Sequence, residues 1–321
     1  MNKTNSLRAW FLAARPQTLT GAIAPVLVGG AFAIRQILID DSPLATLNAH
    51  LIPLSLCLLF AVLMQIDANL INDYFDFCKG TDRADRLGPE RACAQGWITP
   101  RAMRWGIAVM TVLSCLVGLA ILLIHMQWEL ILVGLFCVIF CFLYTTHLSY
   151  LGWGDLLVIL FFGLIPVIFT HYVMTADINM SIDSSSKLLT LHPQLSIFLA
   201  AFAMGLATDN LLMVNNYRDR HQDKVSGKRT IIVRIMAAKG QMVGERISRA
   251  IYLWLGIIAT LLGILSVHSF SSLLLLPYLL LHIHAYRQMR TLDGRDLNRI
   301  LGQTARNIFL FGFLLAISVL I

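Results

Sequence analysis

Apolar runs recur nine times along this chain, each long enough or nearly long enough to cross a lipid bilayer. They fall at about 18–36, 51–71, 105–124, 129–146, 155–174, 195–215, 249–267, 271–285 and 304–321; the eighth is short. A span needs about 20 mostly apolar residues, and in hydrocarbon a helix satisfies its own backbone polar groups. Only 13% of the 321 residues are charged, against 57% hydrophobic, whereas a soluble domain carries about 25% charged residues. The runs therefore predict an all-α polytopic membrane protein, a single domain over 1–321 with nine transmembrane helices.

The placement of charge tests that layout, because Lys and Arg collect in cytoplasmic loops. With alternating sides, 23 of the 25 Lys and Arg residues share a side with the N-terminus, and only Arg35 and Lys187 fall opposite. A wrong span count would scramble the split. The expectation is a cytoplasmic N-terminus, an outside C-terminus and an outside, serine-rich connector at 176–194. The net charge of +7 is then topological, and no nucleic acid partner is implied. The first residues lack the order of a cleaved signal peptide and read as an amphipathic lead-in. The six cysteines form no CxxC pair, which supports neither a zinc site nor a disulfide framework.

Both long cytoplasmic loops open on acidic motifs, "NLINDYFDFCKGTD" from Asn69 and "NNYRDRHQDKVSGKRT" from Asn215. They align at an offset of 143, pairing Asn72 with Asn215, Tyr74 with Tyr217 and Asp76 with Asp219. Such internal repeats often place a shared site at their interface. Asn69, Asn72, Asp73 and Asp76 fall on one helical face, and so do Asn216, Asp219 and Asp223. Two acidic faces meeting at a cavity repel each other unless a cation intervenes. Mg²⁺ suits the task, since it takes few carboxylates and leaves positions for water and phosphate oxygens. Lys79, Arg91, Lys228 and Arg229 lie close by in sequence to hold phosphates. The combination at a membrane surface points to an amphipathic diphosphate with a lipid tail. The bland alternative, solvated loop charge past a span end, explains one motif more readily than two related ones.

At these residues the sequence resembles the UbiA superfamily of intramembrane aromatic prenyltransferases. "NDYFD" supplies Asn72, Asp73 and Asp76 of the family's first motif, and "DRHQD" supplies Asp219 and Asp223 of its second. The family's third aspartate of the first motif is replaced by Gly80, with Asp82 two residues on. That pattern, with "AARPQTLTGAIAPVLVGG", "LGPERACAQGWITP" and "YLGWGDLLVILFFGLIPV", is similar to the branch that prenylates 1,4-dihydroxy-2-naphthoate toward menaquinone. The resemblance implies a UbiA-like bundle in the bacterial inner membrane, with its site at the cytoplasmic face. It implies two Mg²⁺ ions bridging Asp73, Asp76 and Asp82 with Asp219 and Asp223 through a polyprenyl diphosphate. An allylic cation would then alkylate the naphthoate ring with loss of its carboxylate and of a proton, giving a demethylmenaquinone. Tyr144 could face the cation with its ring or be an interfacial tyrosine. Arg15 could pair with the naphthoate carboxylate or be a topological anchor.

Other acids have plainer readings. Asp67 and Asp209, inside spans, are left as cavity-lining or supporting groups, and Asp155 as a helix-start carboxylate. His147 reads as a loop residue. Rival functions are a related prenyltransferase acting on 4-hydroxybenzoate or another ring, and a transporter. The acids sit at one rim rather than at mid-membrane, which counts against transport.

Overall fold

A computed structural model describes residues 4–39, 44–80, 86–125, 128–176 and 191–321. The regular structure of the described residues is helical, with no strand among them. A short helix α1 (Leu7–Ala14) leads into α2 (Pro16–Ile39), followed by α3 (Leu44–Cys78), α4 (Pro100–His125) and α5 (Glu129–Leu143). A π-helical turn, Tyr144–Leu148, prolongs α5. Helices α6 (Gly154–Ile159) and α7 (Ile165–Met174) form one rod through a second π-turn, Leu160–Leu164. Then come α8 (Leu191–Arg218), the short α9 (Arg220–Val225) and α10 (Ile231–Lys239), α11 (Gln241–Val267), α12 (Leu276–Met289) and α13 (Leu297–Leu320).

Eight helical rods among the described residues are long and apolar enough to cross a membrane. The segment expected at 271–285 folds as a 3₁₀ turn, Phe270–Leu275, and the 14-residue α12. It is too short for that length criterion, yet it runs back along α11. His282 Nε2 lies 3.1 Å from the Tyr252 carbonyl, and Arg249 donates to the Arg290 carbonyl at 2.9 Å. The segment thus returns the chain from the level of Val267 to that of Arg249. Leucines on α4 and α5 such as Leu116 and Leu132 are exposed, as expected of walls facing lipid.

Close packing inside the bundle depends on small residues, which let membrane helices approach. Ala24 and Val28 of α2, Ala200, Ala203 and Ala207 of α8, and Phe311 and Leu315 of α13 share one buried cluster. A Cβ on Gly312 would stand 2.7 Å from that of Ala24, and one on Gly163 would stand 2.6 Å from Gly205. The second π-turn is pressed against α8 at that glycine pair. A second cluster ties α1 to α3, α4 and the loop after α3, through Ala9, Ala13, Leu70, Ala92, Cys93 and Met103. Ala92, Cys93 and Ile98 of that loop are therefore part of the core.

Candidate active site

A cavity of about 350 Å³ runs between α2, α3, α4, α5, the α6–α7 rod and α8. Its walls are apolar, including Phe60, Val133, Phe161, Phe162 and Phe169, while Arg15, Asn69, Asn72, Tyr144 and Asn215 gather toward one end. From Asn72 to Cys57 it follows 15 residues of α3, about 22 Å of helix.

Arg15 sits at the elbow between α1 and α2 with φ 51°, ψ 70°, a left-handed conformation uncommon for a residue with a Cβ. The elbow is tied to α3. Asn69 Nδ2 donates to the Ala14 carbonyl and to Thr18 Oγ1, each at 2.9 Å, and Gln65 Nε2 donates to the same hydroxyl at 3.2 Å. Asn69, itself on the cavity wall, thus fixes the turn that carries Arg15.

In the first motif Asp76 is 5% exposed and accepts from Arg91 Nη2 at 3.5 Å; the same nitrogen lies 3.4 Å from Asn72 Oδ1. Asp73 is placed differently. Its two oxygens accept the backbone N–H groups of Ala92 and Cys93, at 2.8 and 2.9 Å. α3 ends at Cys78, and Gly80, two residues on, has a φ of +65°, a backbone conformation that favours glycine. Asp82 lies outside the described residues.

The second motif forms where α8 breaks at Asp219 and α9 begins. Arg218, 1% exposed, grips both Asp219 oxygens at 2.7 and 2.6 Å, and also donates to Asn215 Oδ1 at 2.6 Å and Asn298 Oδ1 at 2.8 Å. Sequence reasoning singles out the loop cations of this motif and not Arg218 as the residues that meet its acids. Asn215 lines the cavity; the expected Asn216 is half-buried on the next position. Asp223 is 7% exposed, with Lys228 Nζ 3.9 Å from Oδ1.

The two motifs sense each other. Burial pushes the Asp223 carboxyl up to about 6, assisted by the Asp219 and Asp76 carboxylates and opposed by Lys228 and Arg218. Burial alone would lower Lys228, but Asp76 and Asp223 outweigh it and its affinity for the proton rises. Lys79 goes the other way: burial and the Lys228 ammonium outweigh Asp76. Lys79 Nζ donates to the Thr145 and Thr146 carbonyls of the first π-turn, at 3.2 and 2.7 Å, and lies 4.0 Å from the Tyr150 ring centroid. Lys228 approaches the same ring at 5.2 Å. Arg229 is exposed, and its backbone N–H donates to the Tyr150 carbonyl at 2.9 Å. Tyr144, on the same π-turn, is half-buried in the cavity wall.

Among the described residues no three His, Cys, Asp or Glu side chains converge tightly enough to hold a metal by themselves. The donor chemistry nonetheless fits Mg²⁺, which needs only one or two carboxylates beside phosphate and water. Asp76, Asp219 and Asp223 are hard oxygen donors; Asp76 lies beside Arg91, Asp219 beside Arg218 and Asp223 beside Lys228. Asp67 and Asp209 are buried off the cavity wall; Asp67 accepts from Thr111 at 2.6 Å.

Comparison with known proteins bears on this arrangement. The model of the UbiA prenyltransferase family matches residues 22–314. A 1,4-dihydroxy-2-naphthoate octaprenyltransferase of Escherichia coli K12 is 32% identical over 97% of this chain and 95% of its own. The Bacillus subtilis protein of that name is 28% identical over 96% and 90%. Among solved structures, digeranylgeranylglyceryl phosphate synthase superposes with a TM-score of 0.57 at 15% identity, over 98% of both chains. A UbiA homolog from Archaeoglobus fulgidus, bound to DMAPP and Mg²⁺, gives 0.56 at 16% identity, over 96% of this chain and 98% of that one.

Proposed function

Because the chain belongs to the UbiA prenyltransferase family, we propose that it transfers a polyprenyl group from polyprenyl diphosphate to 1,4-dihydroxy-2-naphthoate, with loss of diphosphate and CO₂, to give demethylmenaquinone in its reduced, hydroquinone form. The observation that carries this reading is the meeting of two acidic motifs near the polar end of an apolar, membrane-embedded cavity. The naphthoate acceptor is favoured by the relatives, of which the Escherichia coli protein of that name is matched nearly end to end.

Two Mg²⁺ ions, when bound, would supply the positive charge that holds the diphosphate and eases departure of its oxygen. Asp76, Asp219 and Asp223, with Asp82, are the carboxylates proposed to hold them. Lys79, Arg91 and Lys228 take phosphate oxygens, Arg91 through its planar fork. The prenyl tail lies along the apolar wall, where Phe161 and Phe162 exclude water that would quench an allylic cation. Tyr144 turns its ring toward that cation. Arg15 receives the naphthoate carboxylate, which departs as CO₂ after the ring carbon has bonded to the prenyl group. The site faces the cytoplasm of a bacterial cell, and residues 1–321 act as one unit.

The test supplies purified protein with Mg²⁺, one polyprenyl diphosphate and a panel of aromatic acceptors. Prenylated, decarboxylated product from 1,4-dihydroxy-2-naphthoate is the expected result. Product from 4-hydroxybenzoate and none from the naphthoate overturns it.

A further inference from the structure

Each half of the repeat contains an arginine that touches both an asparagine and the aspartate four residues on. Arg91 meets Asn72 and Asp76; Arg218 meets Asn215 and Asp219. These are the positions that the 143-residue offset equates. The arginines, however, are not equivalent. Arg218 stands on α8 itself, beside Asp219, and the helix holds it in place. Its counterpart by the offset is Phe75, so the first half takes its arginine from the loop beyond α3. A loop has no such built-in register, and something must fix it.

Asp73 is the residue that does so. It is 1% exposed, and both oxygens are spent on the backbone N–H groups of Ala92 and Cys93, immediately after Arg91. Its counterpart in the second half is Asn216, where no loop needs holding. We infer that Asp73 is a positioning residue, not a metal ligand: it anchors the 91–93 segment so that Arg91 presents its guanidinium beside Asp76 for the diphosphate. The inference rests on the prenyltransferase reading for the identity of that anion, and on the contacts alone for the anchor.

The experiment measures binding without an acceptor, so that a wrong acceptor leaves it intact. Mn²⁺ binding by electron paramagnetic resonance, and inorganic diphosphate affinity at saturating Mn²⁺, are compared in purified wild type, Asp73→Asn, Arg91→Ala, Asp76→Asn and the double variant Asp73→Asn/Arg91→Ala. Asp73→Asn and Arg91→Ala should bind the wild-type number of Mn²⁺ ions and lose diphosphate affinity by about tenfold, the scale of one charge-assisted hydrogen bond. The double variant should be no weaker than Arg91→Ala, because one residue acts through the other. Asp76→Asn should lose Mn²⁺. Loss of a Mn²⁺ ion in Asp73→Asn, or additive losses in the double variant, overturns the inference. Should Asp73→Asn fail to fold, Arg91→Ala still decides: unchanged diphosphate affinity there removes the function that Asp73 is inferred to serve.

Discussion

Asp76 and Asp219 occupy matching places in the two halves, each buried or half-buried against an arginine. Replacing either by Asn removes a charge from the proposed metal site, and turnover should fall by about 10²–10³-fold or more, as when an electrostatic catalyst is removed. Membrane insertion should be retained, checked by detergent extraction and gel filtration of the variants. Asp223 sets a pH limit. Its carboxyl is raised to about 6 by burial, so below that pH a proton occupies the oxygen that Asp223 is proposed to offer Mg²⁺. Mn²⁺ affinity should therefore weaken as pH falls through about 6, read by titration at fixed ionic strength, and Asp223→Asn should flatten that profile. Much at this scale was legible: the spacing of Asn72, Asp76, Asp219 and Asp223 put them on two faces that now meet. The tie of Arg218 to Asn298 and the anchoring by Asp73 were not. Their partners, Asn298 and the Ala92–Cys93 amides, lie far away in sequence, and helical periodicity cannot register contacts made across a fold.

Between residue and bundle stand the π-turns. Spans 129–146 and 155–174 were readable as apolar runs, but the switch to i→i+5 bonding within each leaves no trace in hydropathy. The second turn puts Gly163 against Gly205 and the Ala201 carbonyl of α8. Gly163→Val would push the α6–α7 rod away from α8, costing about 1–3 kcal/mol by overpacking. Its thermal unfolding midpoint in detergent should drop, with diphosphate binding affected less than stability. The first turn is held by Lys79, which joins the end of α3 to the carbonyls of Thr145 and Thr146. The tip of the first acidic helix and the turn bearing Tyr144 therefore move as one piece.

The bundle as a whole was the most legible part, because the hydrocarbon core dictates span length and loop charge independently of packing detail. Even so, the eighth run illustrates where length alone falls short: α12 is a short helix lying along a long one. If 270–289 crosses the membrane as α11 does, the crossings are odd in number and the two termini lie on opposite sides. Reporter fusions at residues 4 and 321 should give opposite sides; the same side for both would reduce the crossings to an even number.

The arginine–carboxylate contacts have a thermodynamic consequence for the order of loading. If the proposed site is right, a metal drawing on Asp76 and Asp219 would loosen their hold on Arg91 and Arg218, while a phosphate drawing on Arg91 would free Asp76 for a metal. The two ligands therefore assist each other through an exchange of partners, and linkage makes the assistance reciprocal. Mg²⁺ alone would take Asp76 and Asp219 from their arginines, and diphosphate alone would take Arg91 from Asp76; arriving together, they would re-pair those charges.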